Sequence, residues 1–309
     1  LSSFDLGPGN EGMDVEVKNN TVFMAAKASD ANKKDFYVVD VANPANPTLK
    51  KDINTGEGLV VLSIRGNYAY AAHNDDENQI QIINISDESN PVLIKSFSFQ
   101  SNNKEGKSIY SLGGFVYAGS KISSGKEFQI FDVSDPSNPV FKSSVEINAD
   151  VNDIYVLNDR AYLATARDDA EILIFDVSNP ASPSQIGVFN NSSSSDGLSV
   201  FALSDSLAFA GIGGNFVILN TQDLGNITVR SSYAAGGNVN DLYAREHLAF
   251  LGTSDSNKEF QIVNISDLDN AIFYSSYNFP QVAMGVDYLN NVIYVSVRSN
   301  DALRIITSQ

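Results

Sequence analysis

The stretch ILIFDVSNP, residues 172–180, holds the fold in miniature. An apolar strand runs into Asp176, and Ser178-Asn179-Pro180 then turns the chain. Proline cannot donate to a ladder, so it suits the turn and the edge of the strand that follows. The same pattern reads FYVVDVANP at 36–44, IQIINISDESNP at 80–91 and FQIFDVSDP at 128–136. It returns as NFVILNTQD at 215–223, FQIVNISD at 260–267 and a worn LRIITSQ at 303–309. The polar anchor falls at Asp40, Asn84, Asp132, Asp176, Asn220, Asn264 and, by alignment, Thr307, giving successive spacings of 44, 48, 44, 44, 44 and 43 residues. The repeat therefore consumes the 309-residue chain.

A second column fixes the register. An aromatic recurs at Phe23, Tyr70, Tyr117, Tyr162, Phe209, Phe250 and Tyr294, and two residues later stands Ala25, Ala72, Gly119, Ala164, Gly211, Gly252 or Ser296. Residues i and i+2 of a strand share a face. A large ring beside a small residue suits wedge-shaped packing between neighbouring sheets. Each repeat holds four short strands; in the fourth copy they read 152–158, 160–166, 171–177 and 183–190. No segment keeps a 3.6-residue apolar period, so helix is not expected. Four strands per unit, seven times over, predict an all-β, seven-bladed β-propeller of four-stranded antiparallel blades, one domain over residues 1–309. The seventh copy lacks a fourth strand, and Ser2-Ser3-Phe4-Asp5-Leu6 resembles Ser143-Ser144-Val145-Glu146-Ile147, the outer strand of the third copy. Residues 2–6 are therefore expected to complete the last blade and close the ring, leaving no exposed blade interface.

The segments ILIFDVSNP, FQIFDVSDP and FYVVDVANP closely resemble the LVIVD repeat, whose name is its third-strand consensus. The resemblance runs through the chain, strong in the first four copies and worn in the last three, where the Ser-x-Pro turn is lost. It implies a bacterial or archaeal cell-surface or secreted β-propeller with a binding or scaffolding role. It carries over no catalytic residues.

Composition narrows the function. Twenty Lys and Arg against 37 Asp and Glu leave a net charge of −17. That argues against nucleic acid, which needs clustered Lys and Arg, and against docking on an anionic leaflet. No cysteine is present, which excludes thiol chemistry and Cys-ligated zinc. No apolar run reaches a membrane span. The chain opens at Leu1 with no Met or signal peptide and reads as a trimmed mature segment.

The anchor Asp reads as an Asx-turn former, because Asn replaces it at three anchors. The sharper functional signal lies at the start of each first strand, beside the propeller axis. Glu11, Glu57, Glu105, Asp150 and Asp196 stand there, with Asn238 and Gln281 in the last two copies. Asp14, Asp153 and Asp241 follow three residues after Glu11, Asp150 and Asn238. Converging oxygens suit a hard cation, so Glu57, Glu105, Asp150 and Asp153 are the candidate metal ligands. The competing reading makes these acids solvated turn residues. The cofactor expectation is accordingly none, or Ca²⁺ if the mouth closes as a ring. His73 opens a loop on the same face and joins the candidate binding residues, with no nucleophile or carboxylate constellation to make it catalytic. His247 falls on the opposite face. The reading is an extracytoplasmic scaffold, a monomeric domain or part of a larger assembly, that recognises a protein or glycan at the cell surface through one loop face. It is more readily a binder than an enzyme. The alternative is a propeller hydrolase or lyase with a cation-lined central channel.

Overall fold

The third strand of each repeat is buried on both faces, and this decides how the sheets assemble. In Phe36–Asp40, Ile80–Asn84, Phe128–Asp132, Ile172–Asp176 and Phe260–Asn264 the first four residues are all buried. Alternate side chains of the strand enter different clusters: Phe36 and Val38 one, Tyr37 and Val39 another. A strand with two apolar faces needs a packed layer on each side. The computed structural model describes residues 1–309 apart from 29, 31, 57, 76, 101–104, 193, 308 and 309. Among the described residues the secondary structure is strand only, in seven four-stranded sheets. Each sheet is antiparallel and, apart from the last, sequential. In blade 1 the order is Asn10–Lys18, Thr21–Ala28, Phe36–Asp40 and Thr48–Ile53. The fourth repeat forms Val151–Leu157, Arg160–Thr165, Ile172–Asp176 and Ser184–Phe189, within two residues of the sequence reading.

The first strands touch one another from each blade to the next, and that of blade 7 touches that of blade 1, so the ring is closed. The hydrophobic interior divides into seven clusters, one in each gap between adjacent blades. The aromatic column Phe23, Tyr70, Tyr117, Tyr162, Phe209, Phe250 and Tyr294 is buried throughout. Its small neighbours face the next blade: a Cβ on Gly119 would stand 2.6 Å from Val151 Cγ1, and one on Gly211 2.5 Å from the Val239 carbonyl oxygen.

The last blade consists of Ala283–Leu289, Val292–Val297, Leu303–Thr307 and the N-terminal strand Ser2–Phe4. Ser2 lies opposite Ile305, Ser3 opposite Arg304 and Phe4 opposite Leu303. The likeness to the third copy extends to a shared hydrogen bond. Ser2 Oγ donates to the Pro44 carbonyl at 2.5 Å, and Ser143 Oγ donates to the Pro180 carbonyl at 2.6 Å. In both cases an outer strand is tied to the turn of the following blade.

That turn is built alike in six blades. The anchor side chain accepts the N–H two residues on: Asp40 from Ala42, Asn84 from Ser86, Asp132 from Ser134, Asp176 from Ser178, Asn220 from Gln222 and Asn264 from Ser266. A second Asx turn follows three residues later, where Asn43, Asp87, Asp135, Asn179, Asp223 and Asp267 repeat the bond. Asp and Asn are equivalent at this task, because only one side-chain oxygen is used.

Candidate functional site

The seven first strands enclose a central cavity of about 470 Å³. Every first strand carries a β-bulge where the chain reaches the axis, at Gly12/Asp14, Leu59/Val61, Gly106/Ser108, Val151/Asp153, Gly197/Ser199, Val239/Asp241 and Ala283/Gly285. A bulge re-aims side chains and disrupts the ladder locally. Asp14, Asp153 and Asp241 stand just after it, and each accepts with one oxygen from the next residue of its own strand and with the other from the first strand of the adjoining blade. Asp14 accepts from Val15 and from Leu62 of the adjoining blade. Asp153 accepts from Ile154 and Val200, and Asp241 from Leu242 and Val286. Asp287, two residues further along its strand, accepts from Tyr288 and Val17, bridging the last blade to the first. These four aspartates fasten neighbouring first strands together.

Burial pushes Asp14 and Asp287 up to about 7 and Asp153 up to about 6, and it raises Asp241 well above the usual carboxylate range, against the pull of the N–H donors. Glu16 also lines the cavity; burial and then the charges of Asp287, Asp14 and Asp241 raise it strongly. It has no hydrogen-bonding partner among the described residues.

One register further along each first strand, opposite the aromatic column, the wall divides in two. Blades 3 to 6 place Tyr110, Tyr155, Phe201 and Tyr243 there, and blades 7, 1 and 2 place Asp287, Glu16 and Ser63. The four rings form a continuous arc with centroid separations of 5.0, 4.7 and 5.2 Å. Their successive planes turn by 54°, 47° and 51°, each close to one-seventh of a full turn, as blade-related side chains should.

The acids expected at the channel mouth are engaged with cations and backbone instead of standing as a bare ring. Glu11 pairs with Arg298 of the last blade at 3.5 Å, and Glu105 with Lys121 at 3.4 Å. Asp150 binds Lys107 at 2.7 Å and accepts the Ile122 N–H at 2.8 Å. Partial burial works against its ionisation, but the Ile122 N–H and the Lys107 ammonium hold Asp150 below the usual range. Asp196 and Asn238 are exposed, and their carbonyls accept from Gly213 and Ser254. The carbonyls doing the same work in blades 2 and 7 belong to Gly58 and Val282, accepting from Asn74 and Arg298. Gln281 therefore stands one residue before the shared register position, exposed beside Glu11 and Arg298. Glu57 lies outside the described residues. Asp153 is in the deeper tier, away from Glu105. Among the described residues no group of three or more His, Asp or Glu side chains is arranged to hold a metal ion. His73 is buried, and its Nε2 lies 2.6 Å from where a Cβ on Gly56 would be. His247 is exposed on the opposite face.

A further set of polar residues escaped the sequence reading. The residue before each third strand is Asp35, Gln79, Glu127, Glu171 or Glu259 in five blades, and all five are buried. Each accepts an N–H from the residue twenty positions on: Thr55, Phe99, Ile147, Asn191 and Phe279. Gln129 and Gln261, two residues into the motif, donate to the carbonyls of Gln100 and Ala235 and to those of Lys126 and Lys258. Thr165 and Thr253 hydroxyls donate to Ala170 and Lys258 carbonyls. The loops between blades and those between second and third strands are thus tied from below to the third strands. The signal was the fixed spacing: an acid or amide directly before the apolar run in these five blades.

The LVIVD repeat family model matches residues 11–55, 61–98, 106–147, 149–191 and 236–279. The chain belongs to the LVIVD repeat family. The matched copies are the first four blades and the sixth, and the propeller geometry extends to the two unmatched blades. No curated protein matches the chain. Among solved structures, the computationally designed Ika8 protein is similar over 98% of this LVIVD propeller and 99% of its own chain, with TM-score 0.69 and 9% identity. Sqt1 from Saccharomyces cerevisiae is similar over 96% and 82%, with TM-score 0.66 and 9% identity. BamB from Moraxella catarrhalis is similar over 95% and 82%, with TM-score 0.58 and 13% identity. At these identities the likeness is one of fold.

Proposed function

We propose that the protein is a binding scaffold that engages a protein partner through its loop face, in an extracytoplasmic setting. The observation that carries this reading is the layer of buried ties beneath that face, from Asp35, Gln79, Glu127, Glu171 and Glu259. Loops held in one conformation lose less freedom on association, and loops on a rigid scaffold are where specificity resides. They present Ile122, half exposed beside Lys121, and the exposed Asp168 and Asp169. The hydrolase or lyase reading has less support, since a catalytic base must reach the substrate, and His73 is buried against Gly56. The cell-surface or secreted setting rests on the family resemblance.

Photo-crosslinking residues at Ile122 and Asp168 on the loop face, and at Ser137 and Gln222 on the opposite face, test the proposal in the source cells. The expectation is one protein product, formed from the first pair and absent from the second. Products formed equally from both faces, or from Ser137 and Gln222 alone, would overturn it. A product that resists protease but yields to periodate assigns a glycan and overturns the protein partner.

A further inference from the structure

The lining of the central cavity departs from the seven-fold repeat, and at Glu16 no tie between strands accounts for the departure. Four adjacent blades fill one register with aromatic rings, and in the remaining three, also adjacent, Asp287 and Glu16 line the cavity while Ser63 is buried against Ser111. The aromatic solution is available to the repeat and serves four blades. Placing two carboxylates side by side in an enclosed channel is unfavourable, both by desolvation and by mutual repulsion. Local departures of this kind mark functional sites.

The charge on the axis has no counterpart in the protein. Five carboxylates, those of Asp14, Glu16, Asp153, Asp241 and Asp287, line the cavity. Among the described residues none of them forms an ion pair, and the only Lys or Arg on the lining is Lys107, which is held by Asp150 and Asn152. The four aspartates are committed to backbone N–H groups. Glu16 is not: it is half-buried on the cavity wall, and its carboxylate makes no hydrogen bond among the described residues.

From this geometry we infer that the channel is a binding site for a linear aliphatic amine carrying more than one ammonium group. An ammonium at Glu16 and Asp287 supplies the missing positive charge, and its three donors find carboxylate acceptors. The arc of Tyr110, Tyr155, Phe201 and Tyr243 across the channel offers ring surface to the methylene chain and attracts the cation. Asp14 and Glu16 lie on one strand two residues apart, about 6–7 Å along the axis. The chain of a four-carbon diamine bridges that distance. A hard divalent cation is a poorer occupant, since it wants six to eight oxygens around it and more than half of this tier is aromatic.

Isothermal titration and thermal unfolding at pH 8 with 1,4-diaminobutane test the inference, with Ca²⁺ and K⁺ at matched ionic strength as comparisons. Expected are saturable binding of one diamine per chain and a rise in Tm that the inorganic ions do not reproduce. Glu16→Gln should weaken binding at least tenfold while leaving the ligand-free protein folded, since it removes a repulsion. Tyr155→Leu should weaken binding several-fold with the charges intact. A rise in Tm that K⁺ matches, preferential stabilisation by Ca²⁺, or undiminished binding by Glu16→Gln would each overturn it. The loop-face crosslinking is independent of this result, so either proposal can fail alone.

Discussion

At the scale of single residues, the propeller is governed by which side chains stand in each repeat's special positions. Gly211 faces the bulge of the next blade, where a Cβ would meet the Val239 carbonyl oxygen at 2.5 Å. Backbone cannot move aside there without loosening the first strand that lines the channel. Gly252 occupies the same register in the next blade, yet its would-be Cβ stands 3.2 Å from the Val286 side chain and 3.4 Å from the Ala283 carbonyl oxygen, the latter an ordinary contact. Gly211→Ala should therefore destabilise by about 1–3 kcal/mol, the usual range for overpacking a close-packed interior, and Gly252→Ala by less than about 1 kcal/mol. Chemical denaturation of the two variants checks the ranking, and equal losses would show that the blades do not approach as closely as described. The buried Glu127 illustrates what a residue-scale reading misses. By sequence it is one more acid near a lysine, yet its Oε2 accepts from both Ile147 and Asn148. Gln79 fills the same role in blade 2 with an amide oxygen, which identifies the position by hydrogen bonding and not by charge.

At the scale of elements, the repeat was legible because its two determinants are local. The apolar run ending in an Asx turn and the ring-plus-small pair each fall within a few residues, so strands, blade number and closure could be read from Asp176 outward. The inner ends of the first strands could not. Each contains a bulge, which adds a residue and breaks the alternation that sequence reading depends on. Sequence spacing alone pairs Glu57 and Gln281 with Glu11, but the backbone puts Gly58 and Val282 in register. The aromatic arc was invisible for the same reason: Tyr110 and Tyr155 looked like ordinary strand residues until the bulge fixed which way they turn. Closure is the element whose removal gives the clearest outcome. Deleting residues 1–6 unpairs Leu303, Arg304 and Ile305 and removes the buried Leu6 and the Ser2–Pro44 tie. An exposed edge carrying unpaired backbone groups recruits other chains. The truncated protein should melt at lower temperature and scatter more light on standing, and a peptide of residues 1–8 added in trans should reverse both. An unchanged Tm would mean that the ring does not depend on this strand.

At the scale of the whole molecule, the buried carboxylates link stability to pH in an unusual direction. Asp14 and Asp287 are raised to about 7, and Asp153 and Asp35 to about 6, each chiefly by burial. An acid whose folded value lies above its unfolded one, near 3.9, binds its proton more tightly when folded. Its stabilising contribution is complete below the unfolded value and is lost as pH rises through the folded one. These groups therefore favour folding most at about pH 4 and below, and withdraw that support between about pH 4 and 7. The lowered groups act oppositely, losing their support as pH falls toward 4 and below. Several of them, such as Asp87, Asp132, Asp135 and Asp176, are turn residues open to solvent, which weakens their effect. The net charge of −17 adds self-repulsion as the last carboxyls ionise. Even a net change of about 2 kcal/mol, roughly one such shift after screening by water in the channel, moves Tm by about 3 °C in a chain of this size. Tm should accordingly be higher at pH 5 than at pH 8 by about that amount. Calorimetric scans across pH 4 to 9 at constant ionic strength decide the matter. Glu16→Gln, which relieves the repulsion on Asp287 and Asp14, should flatten the alkaline side of the curve. A Tm that climbs from pH 5 to pH 8 would show that the axial carboxylates are ionised in the folded state at little cost, with their N–H donors outweighing burial.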